Sequence, residues 1–166
     1  MKKTILVALF ATTLFACSTP AEKAAPAETA AATSSCVRTG PEVDLINKAI
    51  ASYGKGDWAT LASCFSDTAT SNHNNDSVAM KIADRIELYK KQRAGIDGEV
   101  DYGKPNVEVV TVEGSNGIKW GHSWTKFTSK NKAGKTTSTL TFASFAIKDG
   151  KLQWEGIIYD TKGLQN

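Results

Sequence analysis

The side chains best suited to chemistry here are histidine, cysteine and tryptophan, and the 166 residues hold only two of the first and three of the second. His73 stands in the polar run Ser71-Asn72-His73-Asn74-Asn75. Imidazole exchanges protons near neutral pH, which makes His73 the sharpest candidate for a general base. The polar context favours a plainer reading, a loop histidine satisfied by water or turn backbone. His122 alternates with tryptophans: Ile118, Trp120, His122 and Trp124 share one face of an extended segment, and Lys119, Gly121, Ser123 and Thr125 share the other. If the first face is concave, Trp120, His122 and Trp124 form with His73 a candidate pocket. Such a pocket stacks on a flat or apolar ligand and orients it by one hydrogen bond. The simpler account has these aromatics completing the core or a dimer contact. No histidine or cysteine pair shows close ligand spacing, so no metal site is expected, and nothing implies a cofactor.

Cys17 differs from the other cysteines in its surroundings. Met1-Lys2-Lys3 supplies positive charge, the stretch from Thr4 to Phe15 is almost wholly apolar, and Ala16 precedes the cysteine, the layout of a secretory signal over residues 1–16. The apolar run is shorter than the ~20 residues that span a bilayer, so no permanent transmembrane helix is expected. Leu14-Phe15-Ala16-Cys17 resembles the bacterial lipobox. The resemblance implies cleavage before Cys17 and acylation of that residue by palmitate-type chains, whose buried CH₂ groups at ~0.8 kcal/mol each would hold the protein to a membrane. It also implies sorting by the next residue. Ser18 is not the aspartate that retains lipoproteins in the inner membrane of enteric bacteria, so a Gram-negative cell would carry the protein in its envelope at the outer membrane.

Residues 17–35 then read as a lipidated cysteine and a tether rich in alanine, proline, serine and threonine, with nothing large to bury. Such a segment cannot offset an ordering entropy of ~1–2 kcal/mol per residue, and disorder is expected. Residues 36–166 suffice for one domain. The net charge of +3 falls to +1 once Lys2 and Lys3 leave with the signal, and no basic run interleaves with aromatics. Nucleic acid is therefore not an expected partner. Export leaves Cys36 and Cys64 as a pair in an oxidising compartment. A disulfide between them would be worth ~3–4 kcal/mol in the chain-entropy model. Two separate thiols are the alternative, since spacing in sequence does not bring Cα atoms together.

The elements that must position these residues follow from periodicity. Pro41 opens a helix in which Leu45, Ile46, Ala49, Ile50 and Tyr53 recur at three- and four-residue steps, with Gly54 as its stop. Asp57 caps a second helix whose Trp58, Leu61, Ala62 and Phe65 fall on one face. Ala79, Ile82, Ile86 and Tyr89 mark a third, closed by Gly95. From Asn106 the period becomes two, and Val107–Val112, Ile118–Phe127, Thr136–Ile147 and Leu152–Asp160 read as strands joined by glycine-containing turns. The class is α+β, with N-terminal helices packed in a curved antiparallel sheet.

The segment from Tyr53 to Leu61, Tyr-Gly-Lys-Gly-Asp-Trp-Ala-Thr-Leu, and that from Cys64 to Thr70, Cys-Phe-Ser-Asp-Thr-Ala-Thr, resemble the opening of the nuclear transport factor 2-like superfamily, which includes SnoaL-like domains. The segment from Phe145 to Leu152 is similar to its strand-turn-strand close. The resemblance spans roughly Val43 to Asp160 and implies a cone-shaped α+β fold. It implies little about activity. Where catalytic members such as the ketosteroid isomerases carry a general-base carboxylate, a helix tyrosine and a protonated aspartate, this chain has His73, Ala49 and Ala143. Without the two oxyanion donors an enolate gains no stabilisation, so isomerase chemistry of that kind is not expected.

The sequence therefore favours a lipid-anchored, non-catalytic domain that binds a small apolar molecule or an envelope partner. The alternative is a SnoaL-like lyase or isomerase with His73 and His122 as acid and base. The superfamily's habit of pairing sheets face to face adds a homodimer to the expectations.

Overall fold

The computed structural model describes residues 34–74, 76–112 and 115–161. The signal segment, Cys17 and most of the tether lie outside the described residues. The first described strand, β1 (Ser34–Val37), already takes in the last two tether residues.

Helix α1 (Pro41–Lys55) starts at its proline, carries Glu42 and Asp44 in its first turn where the helix dipole favours negative charge, and buries Val43, Ile46 and Ala49. It does not stop at Gly54. The left-handed cap is Gly56, at φ 73°, two residues later. Gly54 serves a close approach instead: a Cβ there would lie 2.9 Å from the carbonyl oxygen of Val100. Asp57 accepts a hydrogen bond from the Thr60 amide at 3.0 Å and so caps α2 (Trp58–Cys64). Leu61 and Cys64 face inward and Ala62 outward. Helix α3 (Ile82–Arg93) buries Ile82, Ile86 and Tyr89 with Arg85 between them, and Ala79 precedes the helix.

The remaining strands are β2 (Phe65–His73), β3 (Met80–Lys81), β4 (Ile96–Asp101), β5 (Asn106–Val112), β6 (Lys119–Asn131), β7 (Thr136–Lys148) and β8 (Lys151–Tyr159). They form one curved sheet in the order β1-β5-β6-β7-β8-β2-β3, with β4 pairing to the far end of β6. Strands β5 to β8 form the expected antiparallel meander. The sheet as a whole is mixed, because β2 runs parallel to β8, with Ser71 opposite Glu155 and His73 opposite Ile157. The polar stretch around His73 is thus a paired strand and not a loop.

The core lies between α1, α2 and the concave side of the sheet, where Ile46 and Leu152 are wholly buried. At the crossing of α1 and β6 a Cβ on Gly121 would come within 2.2 Å of Ile46 Cδ1. This position admits no side chain without movement.

The disulfide is not formed. Cys36 is exposed on β1 with its thiol 3.8 Å from Glu108, whereas Cys64 is buried at the end of α2 and donates to the Thr60 carbonyl at 3.3 Å. One thiol belongs to the outer strand of the sheet and the other to the core, so the chain never brings them together.

Candidate active-site cavity

A cavity of about 490 Å³ opens between the helices and the concave side of the sheet. All four tyrosines of the chain, Tyr53, Tyr89, Tyr102 and Tyr159, line it, and none of the four tryptophans does. Their rings make a continuous chain. Tyr53 meets Tyr89 edge-on at a centroid distance of 4.9 Å and Tyr102 at 6.0 Å, and His73 links Tyr89 at 5.5 Å to Tyr159 at 6.1 Å. The facing wall is lined with hydroxyls, among them Ser123 and Thr125 of β6 and Thr139 and Thr141 of β7. Ala49 and Ala143 also line the cavity.

Polar groups converge at one end. The Glu155 carboxylate, 4% exposed, accepts hydrogen bonds at Oε1 from the Tyr89 hydroxyl at 2.5 Å and the Ser71 hydroxyl at 2.8 Å. Tyr89 Oη also lies 2.7 Å from His73 Nε2. Tyrosine has one proton, and here Glu155 takes it, so Nε2 of His73 is the donor to Tyr89 and bears the hydrogen. Nε2 itself stands 3.5 Å from Glu155 Oε1. The backbone holds the histidine as well: its amide donates to Asp76 Oδ2 at 2.8 Å, and the same oxygen accepts from Arg85.

Burial and these partners move several proton affinities. Burial pushes Tyr53 up to about 12. Tyr89 is raised well above the usual phenol range, first by burial and then by the Glu155 charge, and burial does the same to Tyr102. The His73 amide, followed by Arg85, holds Asp76 below the ordinary carboxylate value. Tyr53, Tyr89 and Tyr102 are therefore neutral hydroxyl donors at physiological pH. Chemically, the arrangement can orient a polar group on a bound molecule and pass a proton along Glu155, Tyr89 and His73.

Of the residues singled out from the sequence, His73 reaches this cavity, 8% exposed, at the end of a strand. Trp120, His122 and Trp124 do not. They occupy the outer face of the sheet, where the two tryptophans are 38% and 43% exposed. His122 stacks on Phe142 at 5.8 Å and lies 3.1 Å from Ser144 Oγ. The concave face belongs to the small side chains Gly121, Ser123 and Thr125, because helix α1 packs there and leaves no room for indoles. Glu155, Tyr89 and Ser71 were not singled out. The signal for Glu155 was a charged residue sharing its strand phase with Ile157 and Tyr159.

Solved structures share this fold. A candidate isomerase from Bacillus subtilis superposes with a TM-score of 0.61 at 11% identity, over 75% of this chain and 90% of the other. A candidate SnoaL-like polyketide cyclase from Shewanella denitrificans OS-217 gives 0.60 at 11% identity, over 76% and 95%. The chain has the nuclear transport factor 2-like fold. A protein described by that same fold name, from Burkholderia xenovorans LB400, gives 0.55 at 15% identity, over 75% and 92%. No protein-family model matches the sequence, and no curated protein does. The nuclear transport factor 2-like fold hosts many activities, so the likeness specifies the scaffold and leaves the chemistry to the cavity.

Proposed function

We propose that this chain is an envelope lipoprotein, anchored through Cys17, whose cavity binds one small, largely apolar molecule, and that binding rather than turnover is its role. The observation that carries the reading is the cavity itself: enclosed by helices and sheet, walled by aromatic rings and hydroxyls, with polar groups gathered at one end. That is the usual make-up of a small-ligand site. The anchor rests on the charged start, the apolar run and Leu14-Phe15-Ala16-Cys17. With an unstructured spacer of about the tether's length, ~5–6 Å per square root of residue number, the domain works within a few tens of ångströms of the membrane.

The full chain is expected to bind an apolar fluorescent dye, and Ala143→Trp, which fills the cavity, is expected to lower that affinity at least about tenfold, while Trp124→Ala on the outer face leaves it unchanged. Equal binding by both variants would place the dye elsewhere and end the reading. For the anchor, Cys17→Ser is expected to move the protein from the membrane fraction to the soluble fraction.

The Tyr89, His73 and Glu155 cluster supports a second reading, a lyase or isomerase in which this cluster moves a proton on the bound molecule. The pairing of His73 with His122 is not its basis, since the two imidazoles belong to opposite faces of the sheet. Turnover predicts that ligand recovered from the protein differs chemically from ligand supplied, and that His73→Gln stops the change while binding persists.

A further inference from the structure

A buried carboxylate is tolerated where a counter-charge or a full set of donors replaces its lost hydration. Glu155 has only part of such a set. Two hydroxyls serve Oε1, and no side chain or amide among the described residues donates to Oε2. Glu155 is also the one formally charged side chain, the imidazole of His73 aside, among those that line the cavity. Of the nearby guanidinium groups, Arg85 pairs with Asp76 and Arg93 donates to the Gly54 carbonyl oxygen, while Nε of Arg85 and Nε and Nη1 of Arg93 are buried without partners, and neither residue lines the cavity.

Around this charge stand the rings of Tyr53, Tyr89 and Tyr159 with His73 between the last two. Burial keeps the Tyr53 and Tyr89 phenols protonated. A neutral ring presents a negative face and attracts a cation lying over it, most strongly where water is excluded. The Glu155 carboxylate and these ring faces therefore favour positive charge on the occupant.

We propose that the ligand of this cavity is an organic cation, a small apolar body bearing an amine or quaternary ammonium group, with its charged end held at Glu155 inside the rings of Tyr53, Tyr89 and Tyr159. The inference rests on the binding reading above and adds the sign of the ligand's charge. Its internal competitor is His73, which at 3.5 Å would neutralise Glu155 if protonated and leave the cavity no preference for a cation.

Calorimetric titration of the full chain with choline, and with the neutral alcohol of the same shape in which carbon replaces the nitrogen, separates these cases. Choline is expected to bind at least about tenfold more tightly than the alcohol. Glu155→Gln is expected to abolish that preference. Should that variant fail to fold, Tyr53 supplies the second arm: Tyr53→Phe keeps the ring and the preference, and Tyr53→Leu loses most of it. Equal affinity for choline and the alcohol would overturn the inference, as would an apolar dye that fills the cavity while choline does not bind; both outcomes leave the binding reading intact. If dye, choline and alcohol all fail to bind, the binding reading falls and takes this inference with it.

Discussion

The Tyr89 hydroxyl joins two groups that would otherwise be poorly served, the buried Glu155 carboxylate at 2.5 Å and His73 Nε2 at 2.7 Å. Tyr89→Phe keeps the ring in the core and removes both hydrogen bonds. Leaving a buried acceptor short of a donor costs about 1–3 kcal/mol, so the variant is expected to lower the unfolding free energy by that amount in a denaturant titration. A loss near zero would mean that water replaces the hydroxyl. The sequence displayed Tyr89 only as one member of a helical stripe, because its partners lie on β2 and β8, far away along the chain. His73 was legible as a chemical candidate but not as a buried one. Its polar neighbours alternate between the cavity side, where Ser71 meets Glu155, and the outer side, where Asn72 accepts from the Trp154 indole at 2.9 Å.

At the scale of elements, the instructive case is β6. A period of two divides its residues into two faces but does not say which face is concave, and a sheet reversed front to back satisfies the same alternation. The indoles suggested a pocket; the packing of α1 decided otherwise, since Ile46 seats against Gly121 and excludes bulk from that side. Gly121→Ala is therefore expected to destabilise the fold by about 1–3 kcal/mol through overpacking, measured as a lower denaturation midpoint at unchanged slope. The helices were readable from their apolar spacing and caps, and β5 to β8 from alternation and turns. Strands β1 and β4 were not readable. Their sequences, Ser-Ser-Cys-Val and Ile-Asp-Gly-Glu-Val-Asp, lack a clear apolar phase and extend only because β5 and β6 offer them open edges.

For the molecule as a whole, the burial of Tyr53, Tyr89 and Tyr102 around one cavity gives a pH signature. In the unfolded chain these phenols ionise near 10, whereas in the fold Tyr53 holds its proton to about 12 and Tyr89 and Tyr102 beyond the usual range. A group whose proton affinity rises on folding contributes stability that is complete below its unfolded value and is lost as pH climbs toward its folded one. Stability is accordingly expected to fall between pH 10 and 12, with tyrosinate absorbance appearing together with the loss of tertiary circular dichroism. Phenols that titrate smoothly in the intact fold would show the cavity to be open to water. Sequence alone determined three helices, the hairpin meander and thus the α+β class, because these depend on local spacing and on periods of a few residues. The tertiary structure decided which face of the sheet is concave, kept Cys36 apart from Cys64, and brought His73, Tyr89 and Glu155 together. Each of these depends on the parallel pairing of β2 with β8 or on the seating of α1, contacts between residues distant in the chain that no local pattern encodes.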